Sequence, residues 1–147
     1  MDNKIKSKTR LVAIQIASQH LVSNQDLEFI KNDFDKYYRN TIIDNNSDKI
    51  QYNVNFLSKL VNYYKSINFD NLAKEVNSLI KFDRKFEKWD TIVQAIILVG
   101  VGELKNSKKD KIIIILNDYI EISKLFVNLK ETKLINLILD KLINEKQ

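Results

Sequence analysis

The basic residues at the start of the chain carry the side chains best suited to bind phosphate. Lys6 and Arg10 are four residues apart, so on a helix they share a face and can reach one phosphate backbone. The beginning of a helix adds free backbone amides and partial positive charge, which also favour phosphate. The alternative interpretation is an ordinary solvated helix end, since lysine is common along the whole chain. The basic start therefore indicates a candidate nucleic-acid contact, with the solvated end as its competitor.

The other chemically interesting residues do not form a catalytic or metal-binding pattern. The chain has no cysteine and a single histidine, His20, which is too few ligands for a zinc site. Gly100 and Gly102 lack the third glycine and the preceding strand of a phosphate loop, and they favour a close approach between helices. Asp118 and Glu121 share a helix face, but nothing near them predicts the raised pKa of a general acid. We therefore expect a protein that is not an enzyme and uses no cofactor.

The composition is that of a globular protein with an excess of positive charge. The 147 residues fit one domain spanning 1–147, with 44% hydrophobic and 29% charged residues. The net charge of +5 favours an acidic partner such as nucleic acid. A chain rich in Lys, Ile and Asn is equally expected from an AT-rich genome, so only clustered charge is informative. The longest apolar run is interrupted by Gln94 and Glu103 and falls short of the ~20 residues of a membrane span, which predicts a cytoplasmic protein.

The spacing of apolar residues predicts helices that would position these side chains. The absence of proline and the presence of only two glycines argue against a sheet protein, which needs turn residues repeatedly. Ser7, Asp70 and Asn128 are the predicted helix caps, and residues 44–49 are the clearest loop. The predicted helices span 7–22, 27–38, 51–67, 70–80, 89–104, 112–126 and 128–142.

The helix at 89–104 is apolar on almost every side, as expected for a central helix, and Trp89 is interpreted as a core or rim aromatic. The isoleucines at 112–115 also fit a buried strand, but Tyr119, Ile122 and Phe126 continue the helical spacing. The sequence therefore predicts an all-α, single-domain orthogonal bundle of about seven helices.

Three motifs carry a resemblance to a known family. The segments NDYIEISKLF at 117–126 and LINLILDKL at 134–142 stand at the distance found in the C-terminal signature of NusB, the bacterial transcription antitermination factor. The segment AIILVGVGEL at 95–104 resembles the central helix of that family. Arg10, Ala13 and Gln15 match its Arg-x-x-Ala-x-Gln motif near the start. Residues 24–85 match only in their helix pattern.

The resemblance implies a NusB-like fold and a role in antitermination during ribosomal RNA transcription. Such a protein pairs with NusE, a ribosomal protein, and binds boxA-like single-stranded RNA in an RNA polymerase antitermination complex. In the family, the N-terminal segment contributes to RNA binding, and the turn before the last helix lies beside the start of the first helix. The RNA-binding residues implied here are Lys4, Lys6, Lys8, Arg10, Gln15, Lys130 and Lys133. The acidic residues that we expect to face a basic partner are Glu103, Asp118 and Glu121.

Several family positions have changed in ways that affect RNA binding more than the fold. The family's N-terminal arginines are mostly lysines here, and an arginine of the central helix is Leu98. The phenylalanine that begins the last motif is Leu134, which cannot stack on a base. Lys130 and Lys133 are equally well explained as ordinary surface lysines. The alternative function is therefore a helical protein-interaction module with little RNA affinity.

Overall fold

The computed structural model describes residues 1–37, 51–81 and 83–144, and within them it contains seven α-helices and no β-strand. The prediction of an all-α bundle is confirmed, while the loop predicted at 44–49 lies outside the described residues. None of the helices in these ranges is long and apolar enough to cross a membrane. The helices are α1 (Asn3–Ser23), α2 (Leu27–Tyr37), α3 (Val54–Ser66), α4 (Phe69–Leu79), α5 (Thr91–Lys105), α6 (Ile112–Ser123) and α7 (Leu129–Asn144). Short 3-10 turns, Phe86–Lys88 and Lys109–Lys111, precede α5 and α6.

The first helix begins earlier than the sequence pattern indicates. The side chain of Asp2 accepts a hydrogen bond from the backbone amide of Ile5 at 2.8 Å, which satisfies a free amide at the helix start. Ser7 therefore lies inside α1, and the prediction that it caps the helix is wrong. A consequence is that Lys4 and Lys6 belong to the first turns of a regular helix rather than to a tail.

Asparagine caps define three of the later helices. Asn53 and Asn68 cap α3 and α4 by accepting hydrogen bonds from backbone amides of the first turn, at 2.8 and 3.0 Å. Asp70, the predicted cap of α4, is instead in its first turn. Asn128 accepts a hydrogen bond from the amide of Glu131 at 2.8 Å, which confirms the predicted cap of α7.

The central helix is α5, as its apolar sequence predicts. Every residue from 93 to 104 is buried, and α5 packs against α1, α3, α6 and α7. Its two glycines allow close contact with neighbouring helices, as predicted. A methyl group on Gly102 would lie 3.2 Å from the carbonyl carbon of Tyr63 in α3, and one on Gly100 would lie 3.3 Å from the methyls of Leu139 in α7.

Contacts along α5 set the directions of α1 and α7. Arg10, near the start of α1, bonds to Glu103 near the end of α5, whereas Leu21 of α1 lines a groove with Gln94. The two helices are therefore antiparallel. In contrast, α7 runs parallel to α5, because Leu134 lines a groove with Val93 while its later residues reach the end of α5.

Candidate nucleic-acid interface

Arg10 lies inside the protein, with 6% of its surface exposed. Its Nε and Nη2 atoms donate hydrogen bonds to the two carboxylate oxygens of Glu103, each at 2.8 Å. Its Nη1 atom donates to Oδ2 of Asp118 at 2.6 Å. The guanidinium also lies over the rings of Phe56 and Tyr119, at 5.5 and 5.8 Å from their centroids. A forked ion pair and two aromatic rings thus hold Arg10 between α1, α3, α5 and α6.

Ser7 and Tyr119 complete this network. The hydroxyl of Ser7 donates to Oδ1 of Asp118 at 2.5 Å, and the hydroxyl of Tyr119 donates to Oε1 of Glu103 at 2.7 Å. Each of the four carboxylate oxygens therefore accepts at least one hydrogen bond. These five residues, Ser7, Arg10, Glu103, Asp118 and Tyr119, are called the Arg10 cluster below. The cluster fastens the first turns of α1 to α5 and α6.

Burial and charge fix the protonation states of Arg10 and Tyr119. Burial alone would lower the pKa of Arg10, but its hydrogen bonds to Glu103 and Asp118, together with the charge of Glu103, raise the pKa above its usual value. Burial, together with the charge of Glu103, raises the pKa of Tyr119 well above its usual value. Tyr119 is therefore a neutral hydroxyl donor and Arg10 a permanent cation, an arrangement suited to holding helices together rather than to acid–base chemistry.

Arg10 and Glu103 were predicted to lie on binding surfaces, but both are buried. Arg10 does share a side of α1 with Lys6, but that side continues into the buried residues Ala13 and Ala17 and faces the core. A buried arginine requires a partner, and Glu103, itself 5% exposed, is that partner. Phosphate could reach Arg10 only if this ion pair were broken. Glu103 is likewise covered and cannot face a second protein.

The exposed basic face of α1 is formed by Lys4, Lys8 and Gln15. At about 100° per residue, Lys8 and Gln15 lie within about 40° of Lys4 around the helix axis. Lys6 lies about 160° away, on the side of Arg10. Lys4 and Gln15 are exposed and Lys8 is half-buried. Neither Lys4 nor Lys8 forms an ion pair with a carboxylate of the described residues. Their ammonium groups are therefore accessible to an external anion.

Lys130 and Lys133 lie on a different part of the surface. Both line a shallow groove at the start of α7 together with Arg84, Trp89 and Leu134. Trp89 packs against the core and donates its indole N–H to the carbonyl oxygen of Arg84 at 3.0 Å, which confirms its interpretation as a rim aromatic. The groove combines three cationic side chains, two acids (Asp90 and Glu131) and an apolar floor.

The two basic regions are separated along the central helix. Val93 of α5 lines the groove that contains Lys130, whereas Arg10 of α1 bonds to Glu103 of α5. At 1.5 Å per residue, these two points are about 15 Å apart along the axis. The family resemblance implies that the turn before α7 lies beside the start of α1, and here the two lie toward opposite ends of α5.

The remaining candidate residues have local partners. The side chain of Asp118 is 18% exposed and is bonded within the Arg10 cluster. The side chain of Glu121 is 70% exposed and pairs with Lys124 at 2.8 Å, so it is the one of the three predicted partner-binding acids that lies fully on the surface. His20 lies with Nδ1 2.8 Å from the hydroxyl of Tyr64, so its ring has a hydrogen-bond partner inside the chain.

A group of lysines between α5 and α6 was not predicted from the sequence to be a binding surface. Residues 105–111 contain four lysines and one aspartate, and none of these residues is among the binding residues predicted from the sequence. Lys108, Lys109 and Lys111 are exposed. The run KKDK at 108–111 is visible in the sequence. Where this run lies relative to α1 depends on the contact between Arg10 and Glu103.

Comparison with known proteins agrees with the motifs noted above. A sequence model of the NusB family matches residues 7–144. The chain is 33% identical over 145 residues to the transcription antitermination protein NusB of Blochmanniella floridana, covering 97% of each chain. It is 27% identical over 149 residues to the protein of the same name from Rickettsia bellii (strain OSU 85-389), covering 99% of this chain and 95% of that one. The match includes the Arg10 cluster from Ser7 to Tyr119.

Proposed function

Because this chain belongs to the NusB family, we propose that it is a transcription antitermination factor that binds boxA-like single-stranded RNA together with NusE during ribosomal RNA transcription. The observation that carries the proposal is the family match over residues 7–144, with relatives along nearly the whole chain that are named antitermination proteins. In this role the protein is a binding factor within an RNA polymerase antitermination complex and not an enzyme.

The exposed face of α1 supplies the chemistry for RNA contact. Lys4 and Lys8 project from one side of a helix whose first turns are fastened by the Arg10 cluster. Phosphate contacts from such lysines position a strand and strengthen binding, whereas base contacts determine which sequence is preferred. Gln15 on the same face has an amide that can pair with the edge of an unstacked base. We therefore assign the lysines to affinity and Gln15 to sequence preference.

A binding experiment with matched variants tests this assignment. RNA affinity is measured by fluorescence anisotropy at several salt concentrations, with a boxA-like strand and a scrambled strand, with and without NusE. Lys4→Gln/Lys8→Gln should weaken binding and reduce the slope of log K against log salt by about 1.4, since each single-strand phosphate contact contributes about 0.7. The control, Lys59→Gln/Lys74→Gln, removes two exposed lysines from α3 and α4 and should leave the slope unchanged. Equal losses in the two variants would refute the α1 surface.

A second variant addresses sequence preference. Gln15→Ala should reduce the preference for the boxA-like strand over the scrambled strand while leaving the salt slope as in the wild type, because it removes no charge. Arg10 is unsuitable for charge reversal, since its loss would disrupt the core as well as the surface. An unchanged preference in Gln15→Ala would place sequence recognition elsewhere, for example on NusE.

The alternative function, a protein-interaction module with little RNA affinity, is favoured by one observation. Ile113 and Ile114 at the start of α6 are 72% and 60% exposed, which leaves an apolar patch that RNA phosphates would not cover. Salt-independent or undetectable RNA binding, together with tight binding of NusE alone, would support this alternative. Steep salt dependence would exclude it.

A further inference from the structure

The turn between α5 and α6 carries a dense group of accessible cations. Residues 105–111 contain four lysines and one acid, Asp110. Lys108, Lys109 and Lys111 are exposed, and none of them forms an ion pair with a carboxylate in the part of the chain that the structure describes. Within the described ranges, no carboxylate therefore neutralises their charge. A turn of this kind attracts an external anion.

The Arg10 cluster brings this turn to the same end of the molecule as the basic start of α1. Glu103, which binds Arg10, is in the last turn of α5, directly before the lysine-containing residues. Asp118, which binds Ser7, lies seven residues after Lys111 on α6, about 10 Å along that helix. Two independent contacts therefore hold the start of α1 between the end of α5 and the first turns of α6. The turn lysines and the start of α1, which carries Lys4 and Lys8, therefore lie toward the same end of α5, although about a hundred residues separate them in sequence.

Electrostatic attraction of a polyanion depends on how closely cations cluster. At physiological salt, charges interact over about 8 Å, so lysines at one end of the molecule reinforce one another. Lysines about 15 Å away along α5 contribute less to the same strand. On this basis, the lysines of the α5–α6 turn are better placed than Lys130 and Lys133 to act with α1.

We propose that Lys108, Lys109 and Lys111 bind the phosphate backbone of the same RNA strand as Lys4 and Lys8, so that the strand crosses the C-terminal end of α5. This inference rests on the proposed function, because it assigns further residues to the RNA surface. The turn contributes affinity and not sequence preference, since lysine ammonium groups contact phosphates as point charges. Asp110 lowers the local charge by one and is the single exposed acid in the turn.

The test compares three variants of the full chain: the turn variant and its control each remove three charges, and the α7 variant removes two. They are Lys108→Gln/Lys109→Gln/Lys111→Gln in the turn, Lys130→Gln/Lys133→Gln at the start of α7, and Lys59→Gln/Lys65→Gln/Lys74→Gln as the control on α3 and α4. All these lysines are exposed, so thermal unfolding followed by circular dichroism should be the same for each. RNA binding is measured by anisotropy with the boxA-like and scrambled strands over a range of salt concentrations.

The turn variant should bind both strands more weakly and reduce the salt slope by about 2, with no change in the ratio between the strands. The α7 variant and the control should each change the slope by much less. A normal slope in the turn variant combined with a reduced slope in the α7 variant would overturn the inference and direct the strand along the other end of α5. Wild-type protein that binds neither strand in a salt-dependent way would refute the proposed function, and with it this inference.

A footprinting measurement separates RNA from protein at the turn. Lysine acetylation followed by mass spectrometry is carried out on the free protein, with the boxA-like RNA alone, and with NusE alone. RNA alone should protect Lys108, Lys109 and Lys111 together with Lys4 and Lys8, while Lys59 and Lys74 remain modified. Protection of the turn by NusE alone, and not by RNA, would overturn the inference and identify the turn and the adjacent Ile113 as a protein contact.

Discussion

The ion pair between Arg10 and Glu103 permits a quantitative prediction of how α1 is held. Their side chains are 7% and 6% exposed, and Glu103 accepts two hydrogen bonds from Arg10 and one from Tyr119. Removing one partner of a buried pair costs about 3–5 kcal/mol, because the remaining charge stays buried without its counterion. We therefore expect Arg10→Met to lower the free energy of unfolding by that amount. Total stability is on the order of 5–15 kcal/mol, so the variant should fold but be markedly less stable.

Replacing both partners should cost less than replacing one. In Arg10→Met/Glu103→Met no buried charge is left from this pair, and Asp118 retains Ser7 and partial access to water. The remaining cost is the unsatisfied hydroxyl of Tyr119, about 1–3 kcal/mol. The double variant should therefore be more stable than Arg10→Met alone. Such non-additive changes in the free energy of unfolding are expected when two buried charges neutralise each other.

Urea unfolding followed by circular dichroism measures these differences, with linear extrapolation to water. The control is Lys124→Met, which breaks the pair between Lys124 and Glu121. Those side chains are 50% and 70% exposed, so the loss should be below about 1 kcal/mol. If Arg10→Met were no more destabilising than Lys124→Met, Arg10 would be hydrated in solution and the account of the Arg10 cluster would be wrong.

Three further predictions concern the core and the helix ends. Burial raises the pKa of Tyr64 to about 12, whereas the unfolded value is about 10, so the unfolded state loses its proton first as pH rises. The associated stability is present below about pH 10 and lost toward pH 12, and Tyr64→Phe should flatten this decline in urea unfolding. Gly102→Ala should lower the Tm, because the new methyl would lie 3.2 Å from the backbone of Tyr63. In Gly100→Ala the new methyl contacts only flexible side-chain methyls, and the variant gains up to about 1 kcal/mol of helix propensity. Asn128→Ala should cost about 1 kcal/mol in urea unfolding through loss of the α7 cap.

The helices could be predicted from the sequence because each contributes a stripe of apolar residues to one core. The central position of α5 followed directly from a segment, residues 93–104, in which every residue except Gln94 and Glu103 is apolar or glycine. The helix starts were harder to predict, because several polar residues compete as caps within a few positions. Asp2 rather than Ser7, and Asn68 rather than Asp70, provide the observed caps. Each of these polar residues could cap a helix that begins directly after it, so local sequence leaves the boundary ambiguous.

The interior position of Arg10 could not be predicted from local sequence. Its angular position on α1 pointed to the core, since Ala13 and Ala17 continue the same side. The cost of burying an unpaired charge argued for the surface instead. What reverses that cost is Glu103, 93 residues further along the chain, together with Asp118 and the ring of Phe56. A pairing at that separation is a property of the packed helices and not of any motif.

The same long-range contact determines which lysines can act together. In the sequence, Lys4 and Lys8 are distant from both Lys108 and Lys130, and spacing alone favours neither as their neighbour. Once Arg10 is bonded to Glu103, the start of α1 lies at the end of α5, from which the chain enters the lysine-rich turn. Lys130 is tied to the opposite end through the contact of α7 with Val93. On the proposed function, the buried arginine affects RNA binding indirectly, because its bond to Glu103 sets which exposed cations lie toward the same end of α5 as the start of α1.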